Sequence, residues 1–182
     1  MADFTLSSGS ICRPFRSPWG AFPIKNMPIS TGISSNAIRL GSLMRLDDRT
    51  ATCAHRVAPT STGAETLMIG IAAQAMSGST ATVDTIIPVW EANPMVEFKA
   101  VTKGGTLIST NVGSARTILW DSTLNIAYVD LGASSGVDNR VLVTELIDAV
   151  GDSGGYVAFR FLQTDRTSTN NSSVAYLGLY SR

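Results

Sequence analysis

The fold is decided by the stretch VLVTELIDAVGDSGGYVAFRFL, residues 141–162, where two apolar runs flank five glycine-rich polar residues. β-Branched and aromatic residues such as Val141, Val143 and Phe159 favour strands. A short glycine-rich connection between two such runs is typical of a β-hairpin. The first run also lacks helix caps, which disfavours a helix there. We therefore predict an antiparallel hairpin with residues 151–155 at its turn.

The same pattern of short apolar runs extends outward from this hairpin, beginning near residue 37. Further predicted strands lie in AIRLGSLMRL, TATCAHRVA, TLMIGIAAQA, TVDTIIPVW, VEFKAVT, TLIST, TILWDS, IAYVDLG and VAYLGLYS. Turn residues such as Lys103, Gly104 and Gly105 separate them. About ten strands at nearly even spacing, without an internal repeat or an amphipathic helix, predict an all-β fold. We expect a single antiparallel β-barrel or sandwich over residues 36–182.

Residues 1–35 have a different character, because they hold the four prolines Pro14, Pro18, Pro23 and Pro28. Proline at this density excludes a helix and a central strand, and predicts an extended N-terminal arm. The arm lies either on its own domain or on a neighbouring subunit, and we expect that a chain without residues 1–27 still folds as a barrel. The residues predicted to bind a partner are Arg13, Pro14, Phe15, Arg16, Trp19 and Phe22.

Composition limits the classes of partner. Fourteen basic and fourteen acidic residues cancel, which removes the broad positive field that non-specific binding to nucleic acid or anionic membranes needs. The chain has no apolar run of about 18 residues, and its first residues lack the charged-then-apolar order of a signal peptide. We expect a protein made in the cytoplasm, with no nucleic-acid or membrane partner and with Cys12 and Cys53 as reduced thiols.

Metal and cofactor chemistry has no support in the sequence. One histidine and two distant cysteines give no metal-ligand spacing. No glycine-rich loop opens a helix, as a phosphate site would require. We predict neither a metal site nor a cofactor.

Two short segments resemble trypsin-like serine proteases: TCAHRV around His55 and GDSGG around Ser153. The resemblance implies that His55 is the general base, that Asp121 or Asp130 orients it, and that Ser153 is the nucleophile. It also implies an oxyanion hole from the backbone N–H groups of Gly151 and Ser153. Against it, the arm leaves too few residues for a double barrel, and the polar segment MRLDDRTAT stands where these proteases bury an apolar strand.

A broader resemblance covers residues 37–162. IRLGSLMRLDD, then LMIGIAAQAMSGSTATVDTIIPVWEANPMVEFKA, then VLVTELIDAVGDSGGYVAFRFL follow in an order that resembles the small all-β decoration (cement) proteins on the heads of tailed bacteriophages. The resemblance implies a barrel or tulip-like fold on the outer capsid surface of the virion. Its partners would be the major capsid protein and neighbouring copies, as dimers or trimers, with the arm stapling neighbours. It implies a structural role and no enzyme activity.

A third class remains open. Receptor-binding or adhesin modules on a phage fibre or tail are also all-β with exposed aromatic residues. Such modules usually carry repeats or a coiled coil, and this sequence has neither.

Overall fold

The computed structural model describes residues 11–34, 38–47, 56–59, 68–76, 80–82, 85–132 and 141–162. His55, Cys53 and the predicted strand VAYLGLYS lie outside the described residues. The described strands are β1 (Arg13–Arg16), β2 (Ile24–Pro28), β3 (Leu43–Asp47), β4 (Arg56–Pro59), β5 (Met68–Ala72), β6 (Ile86–Glu91), β7 (Glu97–Lys103), β8 (Ala115–Asp121), β9 (Ile126–Asp130), β10 (Val141–Leu146) and β11 (Tyr156–Phe161). The all-β prediction is confirmed.

Five strands close a barrel in the order β7, β11, β10, β8, β9 and back to β7. The pairings are antiparallel except for the closing pair, β7 with β9, which is parallel. The structure therefore has the predicted barrel, with one parallel pairing that we did not predict. The predicted hairpin is confirmed, because β10 and β11 pair directly across residues 147–155. No helix among the described residues is long and apolar enough to cross a membrane.

Three phenylalanines fill the centre of the barrel. Phe98 of β7 stacks on Phe159 of β11 at 5.9 Å between ring centroids, and Phe161 meets both rings edge to face. Phe98 and Phe159 are fully buried. Alternation along each strand sends these side chains inward and the charged residues of β7 and β11 outward.

A second sheet has the strand order β2, β6, β5, β3, β4, all antiparallel. Its outermost strands β2 and β4 contact each other, so the sheet curls. One face packs Leu43, Met68 and Ile71 into the same core as the barrel phenylalanines. The other face forms a second core that includes Met44, Ile87 and other buried residues. The domain is therefore a barrel plus a curled sheet, where we predicted one barrel or sandwich.

The described part of the predicted arm lies on its own domain. β1 is the outermost strand beside β7, and β2 is the outermost strand beside β6. Proline is tolerated at such positions because an outer strand leaves some backbone N–H groups unpaired. Cys12 and Met27, at either end of this segment, are buried core residues. Removing residues 1–27 would take out β1 and most of β2, neither of which belongs to the five-stranded barrel, so our expectation that the remainder folds as a barrel stays a prediction.

One predicted strand, TLIST at residues 106–110, is a turn. Thr106 forms an isolated bridge to Ser153, and a 3-10 turn follows at Ser109–Asn111. The side-chain oxygen of the buried Asn111 accepts a hydrogen bond from the Ile108 backbone N–H at 2.8 Å. Such local side-chain bonds compete with strand pairing, and here they prevail over the β-propensity of the segment.

Candidate functional site

The segment GDSGG forms the tight end of the β10–β11 hairpin. Gly151 and Gly154 have φ of 99° and 76°, a left-handed conformation that glycine adopts without strain. The Asp152 carboxylate accepts a hydrogen bond from the Ala149 N–H at 3.2 Å, which closes the turn. The backbone functions of the glycines and of Asp152 are the turn functions that the sequence predicted. Ser153 is exposed beside Thr106.

The protease candidates have other partners in this structure. The Gly151 N–H, a predicted oxyanion donor, donates to the Leu107 carbonyl at 2.8 Å. Asp130 Oδ1 accepts the Gly132 N–H at 2.9 Å. Asp121 Oδ1 accepts two backbone N–H groups of the turn between β8 and β9. His55 lies outside the described residues, so the structure gives no distance between it and Ser153.

Asp121 also forms an ion pair on the outer barrel wall. Its Oδ2 accepts a hydrogen bond from Lys103 Nζ, and that ammonium lies 5.0 Å from the ring centroid of Tyr128. The lysine bond, helped by the Leu124 N–H, lowers the pKa of Asp121 despite its partial burial. Burial raises the pKa of Tyr128, and Asp130 adds to the rise. The arrangement holds three strands together.

The first predicted partner-binding residues lie on β1. Arg13 and Arg16 are exposed, whereas Pro14 and Phe15 are half-buried. The Arg16 guanidinium lies 4.5 Å from the Phe15 ring centroid and pairs with Glu97 at 3.4 Å and with Glu145. We predicted Arg16 as a partner-binding residue, and the structure pairs it with two carboxylates of its own chain.

Glu97 is the centre of this ion-pair network. Its side chain is 10% exposed and lies between Arg16 and Arg160, whose Nη2 is 3.0 Å away. A carboxylate this buried is stabilised by paired, hydrogen-bonded cations, whereas exposed ion pairs contribute little. The network fixes β1 against β7 and β11.

The remaining predicted partner residues, Trp19 and Phe22, lie on the connection between β1 and β2. Trp19 is 60% exposed and Phe22 is 36% exposed. An indole that exposed has most of its apolar surface in water, at a cost that a binding partner removes. The structure therefore presents both aromatic residues at the surface.

An apolar sheet face continues from these two aromatics. The register pairs Ile24 with Trp90, Asn26 with Pro88, and Pro28 with Ile86, and alternation places all six on one face. Ile24 and Ile86 are 56% and 62% exposed. We call this face, together with the connection, the apolar strip; its residues are Trp19, Phe22, Ile24, Pro28, Ile86, Pro88 and Trp90.

The barrel explains why the strip is exposed. One cross-strand row runs from Leu43 through Ile71 and Trp90 to Ile24. Leu43 and Ile71 are fully buried under the barrel, Trp90 is half-buried, and Ile24 is exposed. The barrel thus covers one end of an apolar row and leaves the other uncovered. Several large apolar side chains exposed on one sheet face often mark a binding surface.

Three more exposed aliphatic residues lie at the end of the barrel where β7 finishes. Ile108 and Val112 flank the 3-10 turn, and Val150, 64% exposed, lies on the hairpin turn. The two segments are joined through Leu107, whose N–H donates to Asp152 O at 2.9 Å. Backbone hydrogen bonds therefore hold together the two segments that form this second apolar surface.

Sequence reasoning missed Ile24 and Ile86 as surface residues. The period-2 pattern in IKNMP and IIPVW places apolar residues on one face, which was visible, but apolar strand residues are ordinarily core residues. The exposure of Val150 was likewise not predicted, because this residue ends the apolar run VLVTELIDAV. Only the position of the barrel determines which of these residues are covered.

Cys12 is a free thiol with no exposed surface. Burial raises its pKa, because the thiolate would lose its hydration. Its contribution is to core packing beneath β1.

Comparisons with protein-family models, with curated proteins and with solved structures find no match to this chain.

Proposed function

We propose that this chain is a structural virion protein that binds the outside of an assembled bacteriophage capsid and bridges neighbouring subunits. The observation that carries the proposal is the apolar strip, in which Trp19, Phe22, Ile24 and Ile86 are exposed. Aromatic anchors of this kind dominate the binding energy of protein interfaces. The strip therefore supports a protein built into an assembly, and the sequence resemblance to capsid decoration proteins supports the kind of assembly.

The scaffold also suits a bridging role. Two exposed apolar surfaces, the strip on the second sheet and the barrel end at Val150, belong to two sheets that share one core. A protein that binds the assembled shell and not its separated subunits stabilises the shell by mass action. Many copies, each touching several neighbours, add avidity without needing a strong single contact.

The test is co-sedimentation of the purified chain with shells of the cognate major capsid protein. Wild type is expected to saturate the shells, and Trp19→Ala with Phe22→Ala to lose at least about 30-fold in affinity, since one anchor contributes about 2 kcal/mol. The matched control replaces two exposed apolar residues outside the strip, Met95→Ala with Leu124→Ala, and should bind as wild type.

Two results would count against the proposal. Absence of shell binding by the folded wild type would refute it. Equal losses in the strip variant and in the control would remove the strip as the contact. All variants are first compared by circular dichroism, so that loss of folding is not read as loss of binding.

A further inference from the structure

We propose that β1 is exchanged between copies of this chain, so that β1 of one copy pairs with β7 of the next. The partner of the N-terminal segment is then a second copy, and the contact it makes is the one seen within a single chain. The inference deepens the proposed function and rests on it only for the place where the copies meet, which is the shell. The exchange itself is a property of the free protein.

The receiving site is the edge of β7. β1 pairs with it at Arg13 to Lys99, Pro14 to Phe98 and Arg16 to Glu97. β9 occupies the remainder of the same edge, at residues 101–103. The place left for β1 is therefore short and specific, and an identical place exists on every copy.

The contacts that hold β1 are the ladder to β7 and several side-chain contacts, and another copy can supply both equally well. Arg16 reaches Glu97 and Glu145, and Cys12 fills the core beside the strand. In the described residues the β-ladder of β1 involves β7 alone. Exchange replaces each of these contacts by an identical one, so its enthalpic cost is small, which is the basis of domain swapping.

The connection between β1 and β2 is suited to be the hinge. Residues 17–23 read SPWGAFP, and all but Ser17 and Pro23 are exposed. Its internal bonds are local, from the Trp19 and Gly20 N–H groups back to Ser17, and its last residue is bound to β6, where the Pro23 carbonyl accepts the Glu91 N–H at 3.2 Å. Seven residues span up to about 24 Å, enough to cross to an adjacent subunit.

A crowded surface favours the exchange. Copies held side by side on a shell experience an effective concentration in the millimolar range, whereas a dilute solution favours the closed monomer. Residues 17–23, with Trp19 and Phe22, would then connect neighbouring copies, while Ile24, Ile86 and the other sheet residues of the apolar strip remain free to contact the shell.

The experiment is a positional crosslink in the full-length chain, with Cys53→Ser removing one native thiol. Arg13→Cys and Lys99→Cys place two cysteines at paired register positions, within reach of a disulfide. The protein is concentrated to about 1 mM, which matches the effective concentration of tethered sites. Monomer and oligomer are then separated by size exclusion with light scattering, oxidised, and run on a denaturing gel without reductant.

We expect the oligomer to carry links between chains and the monomer to carry links within one chain. A matched control pair, Leu119→Cys with Tyr128→Cys, joins β8 to β9 across a short turn and should link only within a chain in both fractions. Lengthening residues 17–23 by four glycine and serine residues should lower the oligomer fraction, because short hinges favour swapping.

Two outcomes overturn the exchange. One is a wild-type chain that stays monomeric at about 1 mM, including after refolding at that concentration; the other is an oligomer whose links at positions 13 and 99 stay within chains. Because no shell is present, either outcome leaves shell binding to be decided by co-sedimentation. Conversely, an exchanged oligomer that does not bind shells would refute the proposed function and leave the exchange supported.

Discussion

Phe98 provides the most direct test of the barrel. Its ring is fully buried, stacked on Phe159 at 5.9 Å and set edge to face with Phe161 at 5.1 Å. Phe98→Ala removes a buried ring and leaves a cavity, which costs about 3–5 kcal/mol. Each aromatic pair accounts for about 0.5–1.5 kcal/mol of that loss.

The expected loss is large relative to the whole. Domains of this size unfold with about 5–15 kcal/mol, so the substitution removes roughly a fifth of the unfolding free energy or more. At about 2–4 °C per kcal/mol, a loss of about 4 kcal/mol lowers Tm by about 8–16 °C. The assay is urea unfolding followed by tryptophan fluorescence, with the midpoint falling and the slope unchanged.

Phe22→Ala is the matched control, because the same atoms are removed from an exposed position. It should cost under about 1 kcal/mol. Phe98→Leu, which keeps most of the volume, should lie between the two. The barrel assignment fails if Phe98→Ala costs under about 1 kcal/mol, or if both phenylalanine-to-alanine variants are equally destabilised.

Three further outcomes are expected. The pKa of Asp121 is lower in the folded protein than in the unfolded chain. Wild type should therefore be more stable than Asp121→Asn above the unfolded pKa near 4, and this difference should disappear as the pH falls through the folded pKa. Urea unfolding midpoints of the two proteins, measured from pH 7 to 2, should converge at the acid end. Gly70→Ala should destabilise the second sheet by about 1–3 kcal/mol, because the new Cβ would clash with the Trp90 carbonyl and lie 2.9 Å from a Val89 methyl carbon. A variant whose thermal unfolding temperature equals that of wild type would contradict this prediction. Ser153→Ala should leave folding and shell binding unchanged. Labelling of Ser153 in the wild-type protein by a fluorophosphonate probe would instead favour the protease hypothesis.

The sequence predicts the elements of this fold better than their arrangement. Period-2 alternation and β-branched residues identify most strands, including Val141–Leu146. Alternation carries no information on which distant strands pair, so the parallel seam between β7 and β9 and the division into two sheets could not be read from it. At residues 106–110 the bond from Ile108 to Asn111 depends on local geometry that propensity ignores.

The candidate site follows the same division. Trp19 and Phe22 were predicted as contact residues because the prolines around them exclude core structure, and both are exposed. Ile24 and Ile86 were not predicted, since their exposure depends on how far the barrel extends over the second sheet. Arg16 was predicted to face a partner, and its pairing with Glu97 depends on a register that no local signal encodes.

The pairing of β1 with β7 also sets the order of events during synthesis. Arg13 leaves the ribosome well before Lys99, its register partner, and at about 5–20 residues per second the interval is roughly 4–17 s. The barrel cannot close until Phe161 has followed, and β1, the first described strand to be made, cannot pair until β7 has been synthesised. This long-range contact raises the contact order and slows folding. If β1 exchanges as proposed, a chain synthesised ahead on the same messenger RNA already has a complete β7, with which the unpaired β1 of the next chain can pair. Exchange between subunits can then begin during translation.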